Sequence, residues 1–307
     1  MSDPVRSMAV GAHTIVFYTN GPLYLLAASD RGDPPELLRN ELQLLHSQIV
    51  SILTSAQLTK IFEQRSNFDL RQLLGGTEVI IDHLVDKLDT DLSFALGSLD
   101  TLWIRLAPFI QHGHVPHWMP MCFPRFNDQG FLHAYLNYIS PNVALILVSA
   151  DRDSFAAMTQ CRERICEDLA VDDSLQRLDD AASQRALHPS ELGVSGLLQL
   201  YYRNKTLVQH FGTRFDVSVA EDQKGRIINT YKRLRLYMAG GSSNPLRIIY
   251  YKREEDTVLA WQSSSFELYA TVAPAMEVKA MIRLVNSVLE WIKNEEDHLF
   301  VINAPSY

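Results

Sequence analysis

Along residues 246–275, LRIIYYKREEDTVLAWQSSSFELYATVAPA, apolar and polar positions alternate in short runs parted by charged or Ser-rich turns. Runs of β-branched and aromatic residues at this period predict strands at 246–252, 257–261 and 266–273, with KREED as a solvated turn. The period then changes. Val278, Met281, Ile282, Val285, Val288, Leu289 and Ile292 recur at helical spacing over 276–296, and Lys279, Arg283, Glu290 and Lys293 fall on the other side. The pattern is that of an amphipathic helix laid over one face of an antiparallel meander.

The same order recurs twice upstream. MCFPRF, an N-D-Q-G turn, FLHAYLNYI and NVALILVSA predict three strands over 121–149. Asp151 or Asp153 is placed to cap a helix whose inward side is Phe155, Met158, Ile165 and Leu169. At the start, VRSMAV, HTIVFYT and PLYLLAAS are strand-like. Asp33 is placed to cap a helix that has Pro34 in its first position and Leu38, Leu42, Leu45, Ile49 and Ile52 as its apolar stripe.

Only the third unit has a prelude. LLQLYYR and TLVQHF predict a hairpin, and 217–239 a helix with Ile227, Ile228, Tyr231 and Leu234 inward. Hairpin, helix, three strands and helix close a small α+β domain. A three-stranded sheet with one helix leaves its other face bare, so the first two units are expected to expose a sheet face or to depend on a partner for cover. The expected domains are residues 1–110 (the first, partial, with following helices), 111–190 (the second, partial, with a linker) and 191–307 (the third, complete). Between the first two units, 55–110 is helical and polar-amphipathic. Gly75 and Gly76 are placed to end one helix and Thr77 to cap the next. Residues 170–195 are acidic and weakly periodic, a linker with some helix.

Composition narrows the function classes. With 307 residues, 47% apolar, the chain can bury a sizeable core. A net charge of −8 argues against nucleic-acid partners, which need a basic face. No segment reaches ~18 uninterrupted apolar residues, and MSDPVRSMAVGAHT lacks the apolar core of a signal peptide. Cys122, Cys161 and Cys166 are an odd set without CxxC spacing, which predicts reduced thiols in the cytosol.

Motifs of chemistry are sparse. His112, His114 and His117 in QHGHVPHW lack the carboxylate and cysteine partners of a zinc site and read as a loop. Gly75-Gly76-Thr77 is not a phosphate loop, and neither GxSxG nor HExxH occurs. The carboxylates of DRD (151–153) and REED (253–256) lie in a cap and a turn, where acids are ordinary. No catalytic residue, metal ligand or cofactor site is expected. The basic run YKRLRLY offers Lys232, Arg233 and Arg235 either as a solvated helix face or as a patch drawn to an anionic membrane, and spacing leaves both open. In SNFDLRQLLGG, Phe68, Leu70, Leu73 and Leu74 read as core, while Arg65 and Arg71 pair with Asp69 or with a partner. Function therefore falls to surfaces.

GPLYLLAAS, LLHSQIVSILTSAQLTKIFEQRSNFDLRQLLGGTE, FLHAYLNYIS, LILVSADRDSF, LRIIYYKREEDTVLAWQSSSFELYA and WIKNEEDHLFVINAPSY, in this order, resemble the Mon/SAND family of vacuolar fusion proteins. The resemblance covers nearly the whole chain. It implies an α+β fold of three longin domains, each an antiparallel five-stranded sheet with helices on both faces. It also implies a non-enzymatic role: with a Ccz partner subunit, exchange of guanine nucleotide on the late-endosomal and vacuolar Rab GTPase, in endosome maturation, autophagy and vacuole fusion. The implied location is cytoplasmic, recruited peripherally to late endosome, multivesicular body and vacuole membranes through anionic phosphoinositides. The family's first domain builds the GTPase platform with Ccz, and its second and third contribute to the membrane-facing layer. On charge grounds Lys232, Arg233 and Arg235 are the lipid-facing candidates, and Arg65, Asp69 and Arg71 the partner-interface candidates. Family members carry a long polar region, a hairpin and a helix before the position matching Val5, and a comparable block between Phe109 and Pro120. Both departures fall where the internal comparison finds half-domains. The competing reading is a longin scaffold or adaptor without exchange activity.

Overall fold

Among the described residues three antiparallel sheets organise the chain: two are three-stranded meanders, and the third has five strands joined through a crossover. The computed structural model describes residues 6–74, 78–96, 115–124, 126–183, 187–239 and 247–302. Its backbone contacts divide the chain into two compact units. One holds Met1–Val85 and Leu99–Arg185, the other Asp86–Ser98 and Ala186–Tyr307.

In the first of these units, β1 (Ser7–Val10), β2 (His13–Asn20) and β3 (Leu23–Ser29) pair in sequence order. Both faces of β2 are apolar, because HTIVFYTN sets Val16 and Tyr18 on one side and Ile15 and Phe17 on the other. Val16 and Tyr18, with Leu25 and Ala27 opposite them on β3, pack on Leu38, Leu42 and Leu45 of α1 (Pro35–Leu53). Pro34 is the N-cap of α1, so the helix starts one residue later than the sequence suggests, and Asp33 accepts a 2.6 Å bond from Ser29 Oγ.

Thr54 ends α1 and caps α2 (Ser55–Gln64). Its side chain accepts from Gln57 N at 3.2 Å, at φ 49°, a conformation that a β-branched residue seldom adopts. α3 (Arg71–Leu74) and α4 (Glu78–Thr90) follow; Gly75, Gly76 and Thr77, read as helix stop and cap, lie outside the described residues.

The second sheet orders β4 (His117–Phe123), β5 (Asn127–Ser140) and β6 (Val143–Ser149). The N-D-Q-G stretch is not the turn. Phe123 pairs with Asn127, so reversal happens before it and NDQG is already strand. Phe155, the first residue of α6 (Phe155–Ala170), meets Trp118 and Tyr135 at ring distances of 6.1 and 5.7 Å. Ser154 is the N-cap of α6, while Asp151 accepts from Asp153 N in a turn ahead of it. α6 buries no residue fully, and Met158, Ile165 and Leu169 are half-covered.

Against β5 and β6, α7 (Ser174–Ser183) presents Asp179, whose carboxylate accepts from Ser140 Oγ (2.6 Å) and Asn142 N (2.8 Å). These bonds hold Asp179 below the usual carboxylate range. On the face away from Trp118 and Tyr135, Met121, Ala134 and Leu136 are buried, so the bare face expected of this sheet is not found; on the Trp118 face, Val50, Leu53 and Leu58 of α1 and α2 cluster with Cys122 and Phe131.

The second unit holds a complete five-stranded sheet, order β8-β7-β11-β10-β9, from β7 (Leu197–Asn204), β8 (Gln209–Gly212), β9 (Ile248–Lys252), β10 (Thr257–Gln262) and β11 (Phe266–Val272). Alternation along the strands fills both faces. Leu200, Tyr202, Leu259, Leu268 and Ala270 meet Met281, Leu284, Val285, Val288 and Ile292 of α9 (Val278–Asn294). Tyr201, Val258, Ala260 and Tyr269 meet Ile227, Tyr231, Leu234 and Met238 of α8 (Glu221–Ala239). Val278 and Ile282, at the margin of the α9 stripe, stay exposed.

Candidate interaction surfaces

The basic run of α8 does not form an outward patch. Lys232 follows Tyr231 by one helical step, and Tyr231 is fixed inward by its ring and hydroxyl. The phenol donates to Gln199 Oε1 at 2.6 Å and lies 2.8 Å from Thr271 Oγ1, all three groups being buried. The Lys232 side chain is 4% exposed, and its Nζ donates to Asp89 Oδ1 at 3.3 Å. Arg235 Nε stands 3.3 Å from Glu267 Oε2, and Arg235 Nη1 donates to the Leu96 carbonyl. Lys205 Nζ approaches the same Glu267 at 3.6 Å. Arg233 is half-buried. The sequence reading of three cations facing solvent or lipid is corrected for Lys232, while Arg233 and Arg235 are partly exposed. Burial of an ammonium needs a counter-charge, and Asp89 supplies one to Lys232.

What these cations hold is a segment from far upstream. Asp91 caps the single turn α5 (Leu92–Ala95), accepting from Ser93 N and Phe94 N at 2.9 and 3.2 Å. Leu96 enters the cluster of Tyr201, Ile227, Tyr231, Leu234 and Met238, with Leu92 packed beside it. Ser93 Oγ and His210 Nε2 lie 2.8 Å apart. Burial holds the His210 imidazole below its ordinary range; the Arg203 charge acts the same way and Asp91 opposes it. Sequence reading placed residues 86–96 in the helical stretch after the first unit. Its one available signal was the Asp91 cap ahead of Leu92, Phe94 and Leu96.

The REED turn is also not solvated throughout. Asp256 is buried, bound by Arg253 Nε at 2.7 Å and Nη2 at 2.8 Å, and by Gln223 Nε2 at 3.1 Å. Arg253 Nη1 continues to Thr230 Oγ1 at 2.7 Å, so turn and α8 are locked together.

Arg65 and Asp69 are exposed in the turn after α2, where Phe68 N donates to Arg65 O and Gln72 N to Asp69 O. Arg71 opens α3, and its side chain is not among those described. Leu70 packs on the Val50–Leu58 cluster as expected, whereas Leu73 is exposed rather than core. His117 lies in β4, while His112 and His114 lie outside the described residues. Among the described residues no group of three His, Cys, Asp or Glu side chains could hold a metal ion, and no helix is long and apolar enough to cross a membrane.

The first sheet supplies the other surface. Its face away from α1 carries Met8, Val10, Ile15, Phe17, Tyr24 and Leu26, with Ile15 opposite Ala28 and Phe17 opposite Leu26. Met8, Phe17, Thr19, Tyr24 and Leu25 line an open cleft of about 390 Å³. Among the described residues this face is exposed at Met8, Val10, Tyr24 and Leu26.

Comparison with known proteins agrees with this architecture. The family model described as the First Longin domain of FUZ, MON1 and HPS1 matches residues 1–84, and that of the Third Longin domain of the same proteins matches residues 196–296. The chain is 30% identical over 368 residues to Vacuolar fusion protein MON1 of Cryptococcus neoformans var. neoformans serotype D, covering 99% of this chain and 58% of that protein. It is 30% identical over 380 residues to Vacuolar fusion protein MON1 homolog B of Homo sapiens (99% and 69%), and 28% identical over 360 residues to homolog A of Gallus gallus (99% and 65%). The chain thus spans less than two thirds of the length of the Cryptococcus relative. A Roadblock/LC7 domain from Streptomyces avermitilis aligns with 36% of this chain and 94% of its own at 10% identity and a TM-score of 0.25, too weak a likeness to bear on fold or function. Two longin-domain matches and near-complete alignment at 30% identity place the chain in the MON1 family.

Proposed function

We propose that the chain acts in vacuolar trafficking as a subunit of a guanine nucleotide exchange factor. It works with a Ccz-type longin partner on the Rab GTPase of late endosomes and vacuoles, in endosome maturation, autophagy and vacuole fusion. The observation that carries this reading is the alignment of nearly the whole chain with proteins named vacuolar fusion protein MON1. The division into longin bodies at 1–110, 111–190 and 191–307 belongs to the same proposal, as does a cytoplasmic chain recruited to the membrane surface.

The physical requirement is modest. A GTPase holds its nucleotide through the phosphate loop, Mg²⁺ and ordered switch segments. A protein face that binds the nucleotide-free form more tightly shifts the equilibrium by that difference and needs no acid–base group. Loading the Rab with a fluorescent guanine nucleotide and adding this chain with its Ccz partner tests the reading. Release accelerated well above the intrinsic rate is expected, and release at the intrinsic rate leaves a scaffold. The uncovered face of the first sheet favours that second reading, a longin scaffold without exchange activity, because the family's GTPase platform is built on its first unit.

Contact with anionic phosphoinositide membranes is part of the proposal. With Lys232 buried against Asp89, Arg233 and Arg235, both partly exposed, are the candidates to test. Arg233→Glu should reduce flotation with vesicles containing phosphatidylinositol phosphate about fivefold or more, at about 1 kcal/mol per surface cation. Flotation equal to wild type removes it from the lipid surface.

A further inference from the structure

The α8 face of the five-stranded sheet is aromatic where Tyr201 stands opposite Tyr269, and it turns charged at the next pair along β7 and β11. There Arg203 stands opposite Glu267, and beyond that pair Lys205 N donates to Ser265 O at 2.8 Å. Side chains alternate along strands, so residues 203 and 205 on one side and 265 and 267 on the other share this face.

An arginine opposite a glutamate is an ordinary stabilising pair across strands. Here the glutamate is already taken. Glu267 is buried, its Oε2 lies 3.3 Å from Arg235 Nε, and its Oε1 lies 3.6 Å from Lys205 Nζ. Among the described residues Arg203 makes no side-chain hydrogen bond or ion pair, although it is half-buried. Three cations thus converge on one carboxylate, and the charge of Arg203 is left unanswered. Lys205 also has capacity to spare. Its ammonium has three N–H groups, of which one goes to Ser263 O at 2.9 Å and one points toward Glu267.

Beside these cations runs the serine turn between β10 and β11. Ser263 Oγ closes it, accepting from Ser265 N at 3.1 Å and from Phe266 N at 3.0 Å. Ser264 lies at the apex. Ser265 is exposed, sits across from Lys205, and is one pair away from Arg203 on the same face.

From this geometry we infer that Ser265 is a phosphorylation site whose phosphate is held by Lys205 and Arg203. A kinase transfers the γ-phosphoryl group of a nucleoside triphosphate to Ser265 Oγ. The Oγ–P bond forms as the bond from phosphorus to the β,γ-bridging oxygen breaks, the diphosphate leaves, and the hydroxyl proton passes to the base of the kinase. A phosphate dianion across from an ammonium and near an unanswered guanidinium makes charge-assisted bonds that a hydroxyl cannot. The inference concerns this turn alone and depends neither on nucleotide exchange nor on contact with lipid.

The test places phosphoserine at position 265 of the full chain by stop-codon suppression and follows its phosphorus resonance with pH. The second ionisation, near pH 6 for an unpaired phosphoserine, should fall by about half a unit or more in the folded chain and return to its ordinary value in urea. Arg203→Gln should undo much of that fall, and so should Lys205→Gln. In the unmodified chain Arg203→Gln should leave Tm unchanged, since it breaks no bond. In chain recovered from cells, the peptide of residues 254–279 should carry phosphate on Ser265. Any of three results overturns the inference: an ionisation in the folded chain equal to that in urea, a fall that Arg203→Gln leaves untouched, or a peptide with no phosphate or with phosphate confined to Ser263 and Ser264.

Discussion

Lys232 Nζ lies 3.3 Å from Asp89 Oδ1 although 143 positions separate the two residues, and the lysine side chain is 4% exposed against 44% for the aspartate. The lysine brings its charge inside and the aspartate stays at the rim, so the pair is lopsided. A buried ammonium is costly without a partner, while a rim carboxylate regains water when left alone. Asp89→Ala should lower stability by about 1–3 kcal/mol, and Lys232→Met should change it by less than ~1 kcal/mol, since an apolar residue of similar volume replaces the buried cation and the carboxylate stays at the rim. Urea midpoints of the two variants decide, and a larger loss for Lys232→Met contradicts the account.

Leu96 is the apolar anchor of the same segment, buried among Tyr231, Leu234 and Met238. Leu96→Ala should cost about 2–5 kcal/mol, the range for a buried leucine emptied to a cavity. Amide exchange should quicken across residues 86–96 before it quickens in β7 or β11. Simultaneous loosening of sheet and segment would mean that the segment is no separate step of opening.

Tyr231 has its hydroxyl bound in the core, and burial pushes its phenol far above the ordinary value. Tyr269 is pushed up by burial as well. Both stay neutral in the folded chain while an unfolded tyrosine ionises near pH 10. Their contribution to stability is whole below that pH and falls as pH rises beyond it. The phenolate absorbance of these two residues should therefore appear only with unfolding. Tyr231→Phe leaves Gln199 and Thr271 without their partner and should cost about 1–3 kcal/mol. A smooth phenolate titration of all tyrosines in the still-folded protein refutes this.

His210 works in the opposite direction of pH. Its folded value is depressed, so its contribution is full above about pH 6.5 and declines as the solution is acidified below that. Between pH 7.5 and 5.5 the wild-type urea midpoint should fall more than that of His210→Gln, which retains a polar group toward Ser93. Parallel falls in the two proteins exclude His210 as the source.

The sequence alone determined the local periods, and through them most elements. Alternation in TVLAW and FELYATVA became β10 and β11, and the helical stripe at Met281, Val285, Val288 and Ile292 became the buried side of α9. It also determined that the first sheet would carry apolar residues on two faces, because HTIVFYT alternates Ile15 and Phe17 with Val16 and Tyr18. Tertiary structure decided the fate of the charges. Periodicity shows that Tyr231 and Leu234 share a side, but Lys232 lies roughly 100° around the helix from Tyr231, and Asp89, which meets it there, is 143 positions away. Asp256 is hidden likewise because Arg253, Gln223 and Thr230 converge on one turn from α8 and the strand end. Val50, Leu53 and Leu58 of α1 and α2 were turned to Cys122 and Phe131 of the second sheet, a contact that the pattern of neither helix announces. Burial is a sum over neighbours distant in sequence, and the spacing of a single element carries only its own share of that sum.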